Sequence, residues 1–205
     1  MLLEELALAL AAVAGFVDVV GYLTLNHLFS AHMTGNASKL GVALGRGSLT
    51  DALPMALALV LFAAGVAVGT VLVDARRPAA ALALQGALIA GFMAIVGCGE
   101  HPYYALEACS TSALGLQTAA LTHVGGTTIR TSYVSGVLTN LTQGVVRRAR
   151  GAPVDRRLGL LAAILVAYVA GATAGSVTLH DLRIWCLAIP LALLACAAGA
   201  MTRLS

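Results

Sequence analysis

Six stretches of this chain are each about 20 residues long and mostly apolar, which is the length that an α-helix needs to cross a lipid bilayer. They lie at residues 3–25, 53–73, 80–98, 103–123, 158–179 and 184–202. Hydrophobic residues make up 60% of the 205 residues and charged residues only 10%, against about 25% charged in a soluble domain. This composition leaves too little polar surface to cover a soluble globule and is too apolar for a disordered chain. The sequence therefore predicts an all-α integral membrane protein with six transmembrane helices.

Two further stretches, residues 30–46 and 127–146, are too polar for lipid-facing spans but too long and too apolar for simple loops. We interpret each as a broken helix, or half-helix, that enters the membrane and returns. If both crossed fully, the chain would have eight spans. Six spans agree better with the positive-inside rule, because Arg76, Arg77 and the arginines of the 147–157 loop then lie on one side. This arrangement places both termini in the cytoplasm.

Prolines and the first residues refine these boundaries. Four prolines fall at or just before predicted helix starts, namely Pro54, Pro78, Pro102 and Pro153. At that place a missing backbone N–H costs little. Pro190 lies inside the last segment and predicts a kink there. The first segment carries Glu4 and Glu5 and no basic residues, so we expect a retained helix, not a cleaved signal peptide.

The sequence lacks the patterns that mark an enzyme or a cofactor protein. The four cysteines form no CxxC pair, the histidines fall near predicted helix ends without clustered spacing, and no nucleotide-binding loop is recognisable. We therefore expect no catalytic residues, no cofactor and no metal. The arginine-rich 147–157 loop favours a membrane-orienting role over nucleic-acid binding.

The two halves of the chain, 1–99 and 100–205, echo each other at three landmarks. Residues 15–18 match 115–118, residues 33–35 match 134–136, and residues 62–69 match 168–175. A chance match in an Ala/Gly-rich sequence is the alternative, but the landmarks keep the same order. Because each half holds three full spans, an odd number, the halves are predicted to be inverted repeats. In secondary transporters with this arrangement, broken helices from both repeats meet near the midplane to form the solute site.

The motifs at these landmarks are GFVDVVGY, HMTGN, GLQTAA and RTSYVSGVLTNL. Together they resemble the YoaK-type family of bacterial membrane proteins of unknown function, over essentially the whole chain. Ser135 stands where the family pattern has threonine, so the hydroxyl is kept. The resemblance implies a multi-span protein of the bacterial inner membrane and implies no substrate.

Asp18 is the most informative residue, because it lies beyond the middle of the first predicted span. A carboxylate at that depth costs roughly 2.5–3.5 kcal/mol on insertion scales, so it should face a cavity or a partner. Two readings remain open. Asp18 is either a structural contact, with Lys39 or a helix N-terminus, or a carboxylate that couples transport to a proton or cation.

Each predicted half-helix carries a stripe of hydroxyl residues at i, i+4 spacing, with Thr34 and Ser38 in one and Ser135 and Thr139 in the other. Gly35 and Gly136 permit non-helical backbone at the break. Hydroxyls that bond carbonyls of their own helices are the alternative. The predicted solute-binding residues are Asp18, Thr34, Gly35, Asn36, Ser38, Lys39, Gln117, Arg130, Tyr133, Ser135, Thr139 and Asn140.

The function that we expect is secondary transport of a small polar or anionic solute, coupled to a proton or cation through Asp18. A small-solute or ion channel is one alternative, and a membrane scaffold or enzyme is another. Glu107, four residues inside its span, is expected to snorkel to the interface. The partners are the lipid bilayer and the solute. The glycine pairs at 65/69 and 171/175 favour close packing within one chain, with a homodimer as the alternative.

Overall fold

The computed structural model describes residues 2–120, 123–124, 127–128, 134–151, 153 and 157–202. Within these residues the chain forms eight α-helices, one 3-10 turn and one antiparallel pair of two-residue strands. The helices are α1 (Leu2–Thr24), α2 (Met33–Gly45), α3 (Leu49–Asp74), α4 (Pro78–Gly97), α5 (Tyr103–Ala120), α6 (Val134–Ala149), α7 (Arg157–Leu182) and α8 (Ala188–Met201). The strands are β1 (His123–Val124) and β2 (Thr127–Thr128), and the 3-10 turn Arg183–Leu187 joins α7 to α8.

Four helical stretches among the described residues are long and apolar enough to cross a membrane, judged by length and composition. They are Leu3–Thr24, Leu49–Asp74, Pro78–Gly97 and Arg157–Met201, the last of which contains both α7 and α8. The remaining predicted span falls on α5, whose Glu107, Gln117 and hydroxyl residues make it less apolar. The protein is therefore helical and membrane-embedded, as the composition predicts.

The helices meet through glycines, which allow two backbones to approach within van der Waals contact. A Cβ atom added to Gly171 of α7 would overlap the carbonyl of Ala12 in α1, and one added to Gly65 of α3 would overlap the carbonyl of Ser112 in α5. The prediction that these glycines join helices within one chain is confirmed. The close approach increases dispersion contacts, which replace the hydrophobic effect as the attraction between helices in lipid.

The first helix is the centre of the bundle. Leu10, Ala11, Val13 and Ala14 are fully buried in α1. The long helices α3 and α7 instead expose large apolar side chains on their outer faces, among them Val60, Val71, Val166 and Val169. Exposed apolar faces of this extent are typical of contact with a membrane or a partner.

The structure corrects three sequence-based boundaries. Of the predicted half-helix 127–146, Thr127–Thr128 form strand β2, and the described helical part belongs to α6 (Val134–Ala149). Pro54 lies inside α3, because Ser48 caps the helix with its Oγ accepting from the Asp51 backbone N–H at 3.3 Å. Pro190 lies in the first turn of α8 and not inside a kinked span, because the 3-10 turn already separates α8 from α7.

Candidate functional site

Asp18 is enclosed in the bundle and is held by three hydrogen-bond donors. Its side chain is 2% exposed. Oδ1 accepts from the backbone N–H of Ala31 at 2.8 Å, and Oδ2 accepts from the Tyr168 hydroxyl at 2.8 Å and contacts Nδ1 of His32 at 2.7 Å. The donors come from two places, the linker between α1 and α2 and the middle of α7. Their hydrogen bonds compensate the cost of taking the carboxylate out of water.

His32 is the ionisable partner of Asp18, and it stands directly before the first residue of α2. Its side chain is 41% exposed, so one side faces Asp18 while the other is open. The hydrogen bond to the Asp18 carboxylate raises the pKa of His32, and partial burial opposes that increase. The imidazole is thus a titratable group placed between a buried carboxylate and the start of a half-helix.

Residues 25–32, which we call the linker, are folded back into the bundle and do not form an open loop. Asn26 and His27 have positive φ angles of 47° and 62°, which reverse the chain direction after α1. Leu25 and Leu28 are buried as a result. This reversal carries the end of the linker back to the level of Asp18, so the backbone turn is what builds the site.

Asn36 is the last residue of the HMTGN motif, and it attaches α2 to the linker. It is fully buried, and its Nδ2 donates to the carbonyl of Phe29 at 2.8 Å. Ser30 makes a second attachment, because its Oγ donates to Oγ of Ser110 in α5 at 3.0 Å. A Cβ on Gly21 would lie 2.5 Å from that Ser30 oxygen, so glycine is required where the linker crosses α1.

Gln117 joins three helices in the core. Its Nε2 donates to the carbonyl of Leu10 in α1 at 2.6 Å, and its Oε1 accepts from Nε2 of Gln85 in α4 at 2.6 Å. Both glutamines are buried. The predicted residue Gln117 therefore lies in a polar cluster separate from Asp18, and its observed contacts are with protein.

Lys39 is not the partner of Asp18, which corrects one of the two structural readings of the sequence. Its Nζ donates to the carbonyl of His27 at 2.6 Å and lies 5.9 Å from the centre of the Phe29 ring. The ammonium thus satisfies an exposed carbonyl at the linker turn. The donors to Asp18 come instead from residues 31, 32 and 168.

The hydroxyl stripes of the two half-helices face outward. Thr34, Ser38 and Lys39 are exposed on α2, as are Ser135, Thr139 and Asn140 on α6. Ser38 and Thr139 donate to the carbonyl four residues earlier in their own helices, which is the alternative that the sequence left open. The half-helix α2 packs on α3 and α6 packs on α7. The expected meeting of the two stripes at the centre is therefore not found. Arg130 and Tyr133 lie outside the described residues.

A groove with a volume of 640 Å³ runs between α2, α3 and the start of α5. Two cations, Lys39 and Arg46, lie along its α2 side, with Asp51 on the α3 side. Its remaining wall is formed by Asn26, Ser38, Val42, Ala43, Thr50, Pro54, Met55 and Tyr103. Gly35 has open space around it and lies on the same half-helix. The groove is therefore a polar, net positive surface next to the linker.

Sequence reasoning missed His32 and Tyr168 and misplaced Glu107. Glu107 is fully buried, so it does not snorkel, and both of its carboxylate oxygens lack a hydrogen-bond partner within the described ranges. Tyr168 occupies the repeat position of Phe62, and Asp18 that of Thr118. Of the repeat-related pair Phe62 and Tyr168, only Tyr168 carries a hydroxyl, and this difference between the halves is the signal that could have found it.

The structure is a bundle of long apolar helices that encloses a carboxylate with phenol and imidazole partners. These features define the class of protein as a multi-span helical membrane protein. The chain belongs to the family described as protein of unknown function (DUF1275), whose profile matches residues 6–200. This confirms the family resemblance of its motifs.

Two relatives show the extent of the similarity. The UPF0700 transmembrane protein YoaK of Bacillus subtilis (strain 168) is 32% identical over 147 residues, covering 68% of this chain and 65% of that protein. The UPF0700 transmembrane protein RA0705 of Rhizobium meliloti (strain 1021) is 29% identical over 201 residues, covering 97% of this chain and 87% of that protein. The matched part thus spans less than two thirds of the length of the Bacillus protein. No solved structure matches the chain.

Proposed function

We propose that this protein is a secondary transporter of a small polar or anionic solute in the bacterial cytoplasmic membrane, coupled to protons through Asp18. The observation that carries the proposal is the hydrogen-bonded contact of the buried Asp18 carboxylate with His32, at the first turn of a half-helix. An ionisable group inside the membrane is expensive and is a functional candidate by default. Here it is also attached to the segment that leads into α2.

The coupling step follows from the donor count. Ionised Asp18 accepts from Ala31, His32 and Tyr168. A protonated carboxyl has one acceptor oxygen fewer and carries no charge, so its hold on the imidazole weakens. Protonation then loosens the linker and releases the start of α2. This links proton binding at Asp18 to the position of the half-helix.

In many secondary transporters two related halves carry out alternating access, and the helix crossings support an inverted repeat of six spans. Gly171 meets the carbonyl of Ala12, and the repeat-related Gly65 meets the carbonyl of Ser112. The chain turns support the same relation, because α3 and α7 each end near an arginine of positive φ, Arg76 at 58° and Arg183 at 52°. In such folds one repeat rocks against the other around a fixed site.

The groove beside α2 supports the choice of an anionic or polar solute. Lys39 and Arg46 line it, and cationic side chains suit carboxylate or phosphate groups. The void at the bundle centre, beside Gly21 and Ser110, has a volume of 10 Å³. That space holds at most a single water, so it is too small for a solute in this conformation.

The test is solute-driven proton movement in proteoliposomes. Vesicles with the purified protein and an internal pH-sensitive dye are challenged with a panel of small carboxylates, amino acids and phosphate esters under an imposed pH gradient. A transporter gives saturable, gradient-dependent dye responses for some members of the panel, and Asp18→Asn loses the gradient dependence. Asp74→Asn, which changes an exposed carboxylate at the end of α3, is the matched control and keeps it. Flux that never saturates and ignores the gradient contradicts the proposal and indicates a channel.

A further inference from the structure

Glu107 is a second enclosed carboxyl group, and its situation differs from that of Asp18. It is 0% exposed, and neither carboxylate oxygen has a hydrogen-bond partner within the described residues. An ionised carboxylate moved from water into such surroundings without a partner costs far more than helix packing returns. Glu107 therefore does not persist as a bare anion. It carries a proton, or a cation is bound to it.

Thr111 places a third unused oxygen on the same face of α5, one turn after Glu107. The Thr111 side chain is 0% exposed, and its Oγ1 has no partner in the described ranges. Seven other helical hydroxyls donate to the carbonyl four residues earlier, namely those of Thr24, Ser38, Thr70, Thr118, Thr139, Thr173 and Thr178. Thr111 does not use that carbonyl, so its hydroxyl remains available for a ligand.

The next oxygens along this face are already arranged in a small polar cluster. Ser110 donates toward the Glu107 carbonyl at 3.4 Å and accepts from Ser30 at 3.0 Å. The void of 10 Å³ borders Ser110 and Gly21. A space of about 10–15 Å³ holds one water-sized species. Ser110 thus connects the Glu107 backbone to this void, which is lined by neither the Glu107 nor the Thr111 side chain.

The helices packed against α5 provide no counter-charge for Glu107. They contain no Lys, Arg or His between their first and last residues, and their ionisable groups are acidic or phenolic, namely Glu4, Glu5, Asp18 and Tyr22 in α1 and Asp51 and Asp74 in α3. In the linker, His32 is engaged by Asp18, and His27 lies against the ring of Tyr22. Tyr103, one turn earlier on α5, is the neighbouring titratable group. The neutralising charge must come from solution.

We propose that Glu107, together with the Thr111 hydroxyl, forms a site for a small monovalent cation, either a proton or Na⁺. Oxygen ligands suit hard cations, and one carboxylate balances one positive charge. A divalent transition metal does not fit, because no group of three His, Cys, Asp or Glu side chains that would hold one occurs among the described residues. The site is separate from Asp18, whose partners belong to the chain itself, and it does not depend on transport.

The test measures binding through thermal unfolding of the purified protein in detergent, followed by circular dichroism. Wild type, Glu107→Gln and Thr111→Val are unfolded in NaCl and in N-methylglucamine chloride of equal ionic strength, at acidic and alkaline pH. Glu100→Gln, which changes an exposed glutamate outside the bundle, is the matched control. Asp18→Asn is included to separate the two carboxyl sites.

A Na⁺ site predicts that NaCl raises the wild-type Tm by about 5–10 °C at alkaline pH when Na⁺ exceeds its Kd about 100-fold. Glu107→Gln loses this increase, Thr111→Val reduces it, and Glu100→Gln and Asp18→Asn keep it. A proton site predicts no effect of Na⁺. Instead, the wild-type Tm falls with rising pH more steeply than that of Glu107→Gln, because the neutral form needs a proton that glutamine does not.

The proposal is overturned if the wild-type Tm ignores Na⁺ and its pH profile runs parallel to that of Glu107→Gln. A Na⁺ effect that persists in Glu107→Gln also overturns it. Should Glu107→Gln fail to fold, Thr111→Val decides, because valine has nearly the same shape as threonine without the hydroxyl. A changed Na⁺ or pH response in Thr111→Val supports the site, and an unchanged response contradicts it. Loss of transport with an intact cation response would refute the proposed function alone.

Discussion

Replacing Asp18 by asparagine should destabilise the protein by about 2–4 kcal/mol, because the amide cannot accept all three donors that meet the carboxylate. The shapes of the two side chains are nearly equal, so packing is preserved. Oδ1 of Asp18 faces the N–H of Ala31, and Oδ2 faces the donors of His32 and Tyr168. If the amide oxygen keeps the Ala31 N–H, the NH₂ group takes the place of Oδ2, and the Tyr168 hydroxyl and the His32 imidazole must change from donors to acceptors.

The magnitude follows from the two contacts on Oδ2. Hydrogen bonds to a charged group contribute roughly 1.5–3 kcal/mol each. The Tyr168 contact is buried and takes the upper part of that range, whereas the His32 side chain is 41% exposed, so solvent screening reduces its share. Since the oxygen of the substituted amide still accepts from some of the donors, part of this energy remains. For a chain of this size the loss corresponds to a Tm decrease of roughly 5–15 °C.

The assay is thermal unfolding in detergent of a double-mutant cycle with Tyr168→Phe. Phenylalanine is the matched change, because Phe62 occupies the repeat-related position and the ring itself is retained. Contacting residues couple by about 0.5–3 kcal/mol, so the double variant should lose less stability than the sum of the single variants. Lys39→Met should not rescue Asp18→Asn, because Lys39 donates to the carbonyl of His27.

Two results would refute this reasoning. If Asp18→Asn unfolds within about 1 °C of wild type, a shift far below the range expected for lost hydrogen bonds, the carboxylate contributes nothing that an amide cannot, and the three donors are not its partners in solution. If the two single losses simply add, Asp18 and Tyr168 act independently and the contact between α1 and α7 has been misassigned.

Three further predictions test other parts of the structure. The stabilising His32–Asp18 interaction should be fully present below the ordinary histidine pKa of about 6.5 and lost as pH rises through the raised pKa of His32. The Tm difference between wild type and His32→Gln should therefore become smaller as pH rises. A Tm difference that grows with pH would contradict the interaction. Gly171→Ala should prevent the approach of α7 to Ala12 and lower the folded yield, whereas Gly159→Ala, with open space on the same helix, should gain about 0.5–1 kcal/mol; equal yields and Tm values for the two would contradict the packing. Single cysteines introduced into a cysteine-free background should be labelled from outside at residues 46–52 and 99–102 and from inside at 147–151; labelling of residues 46–52 from inside would support eight spans.

The parts of the fold that could be predicted from the sequence are those fixed by local patterns. The helices α1, α3, α4 and α7 could be predicted because each lies in an apolar stretch that is long enough to cross a membrane. Helices exposed to water do not contain such stretches. The glycine crossings follow from spacing, because small residues four apart lie on one helix face. The start of α3 was misplaced, since Ser48 caps the helix before the strongly apolar run begins.

The partner of Asp18 could not be read from the sequence, because it depends on the direction of the linker. His32 and Lys39 both follow Asp18 closely enough in the sequence to reach it. The positive φ angles of Asn26 and His27 turn the linker back along α1, and this puts residue 32 beside the carboxylate while residue 39 reaches only the turn itself. Asparagine and histidine adopt positive φ angles much less regularly than glycine, so neither residue predicts such a turn from the sequence.

The burial of Glu107 could not be predicted for a similar reason. Its position four residues into the span indicates its depth but not the side of α5 on which it lies. In the structure α5 is surrounded by α1, α3 and α4, so a side chain near its end is covered by neighbouring helices and has no path to the interface. Depth along a helix is a property of the sequence, whereas enclosure is a property of the bundle.

The crossing of α1 with α7 and the crossing of α5 with α3 each place a glycine against a carbonyl, but their chemistry differs, and for the proposed transporter this difference matters. Where α1 and α7 cross, Asp18 bonds Tyr168. At the repeat-related crossing of α5 and α3 the corresponding residues are Thr118, whose hydroxyl donates to its own helix at Leu114, and Phe62. If rocking exchanges the surroundings of the two crossings, only the first changes energy with protonation. A proton then favours one orientation over the other, because a ligand shifts an equilibrium only by its difference in affinity for the two states. In the proposed transporter the carboxylate at the first crossing would therefore make the two orientations unequal.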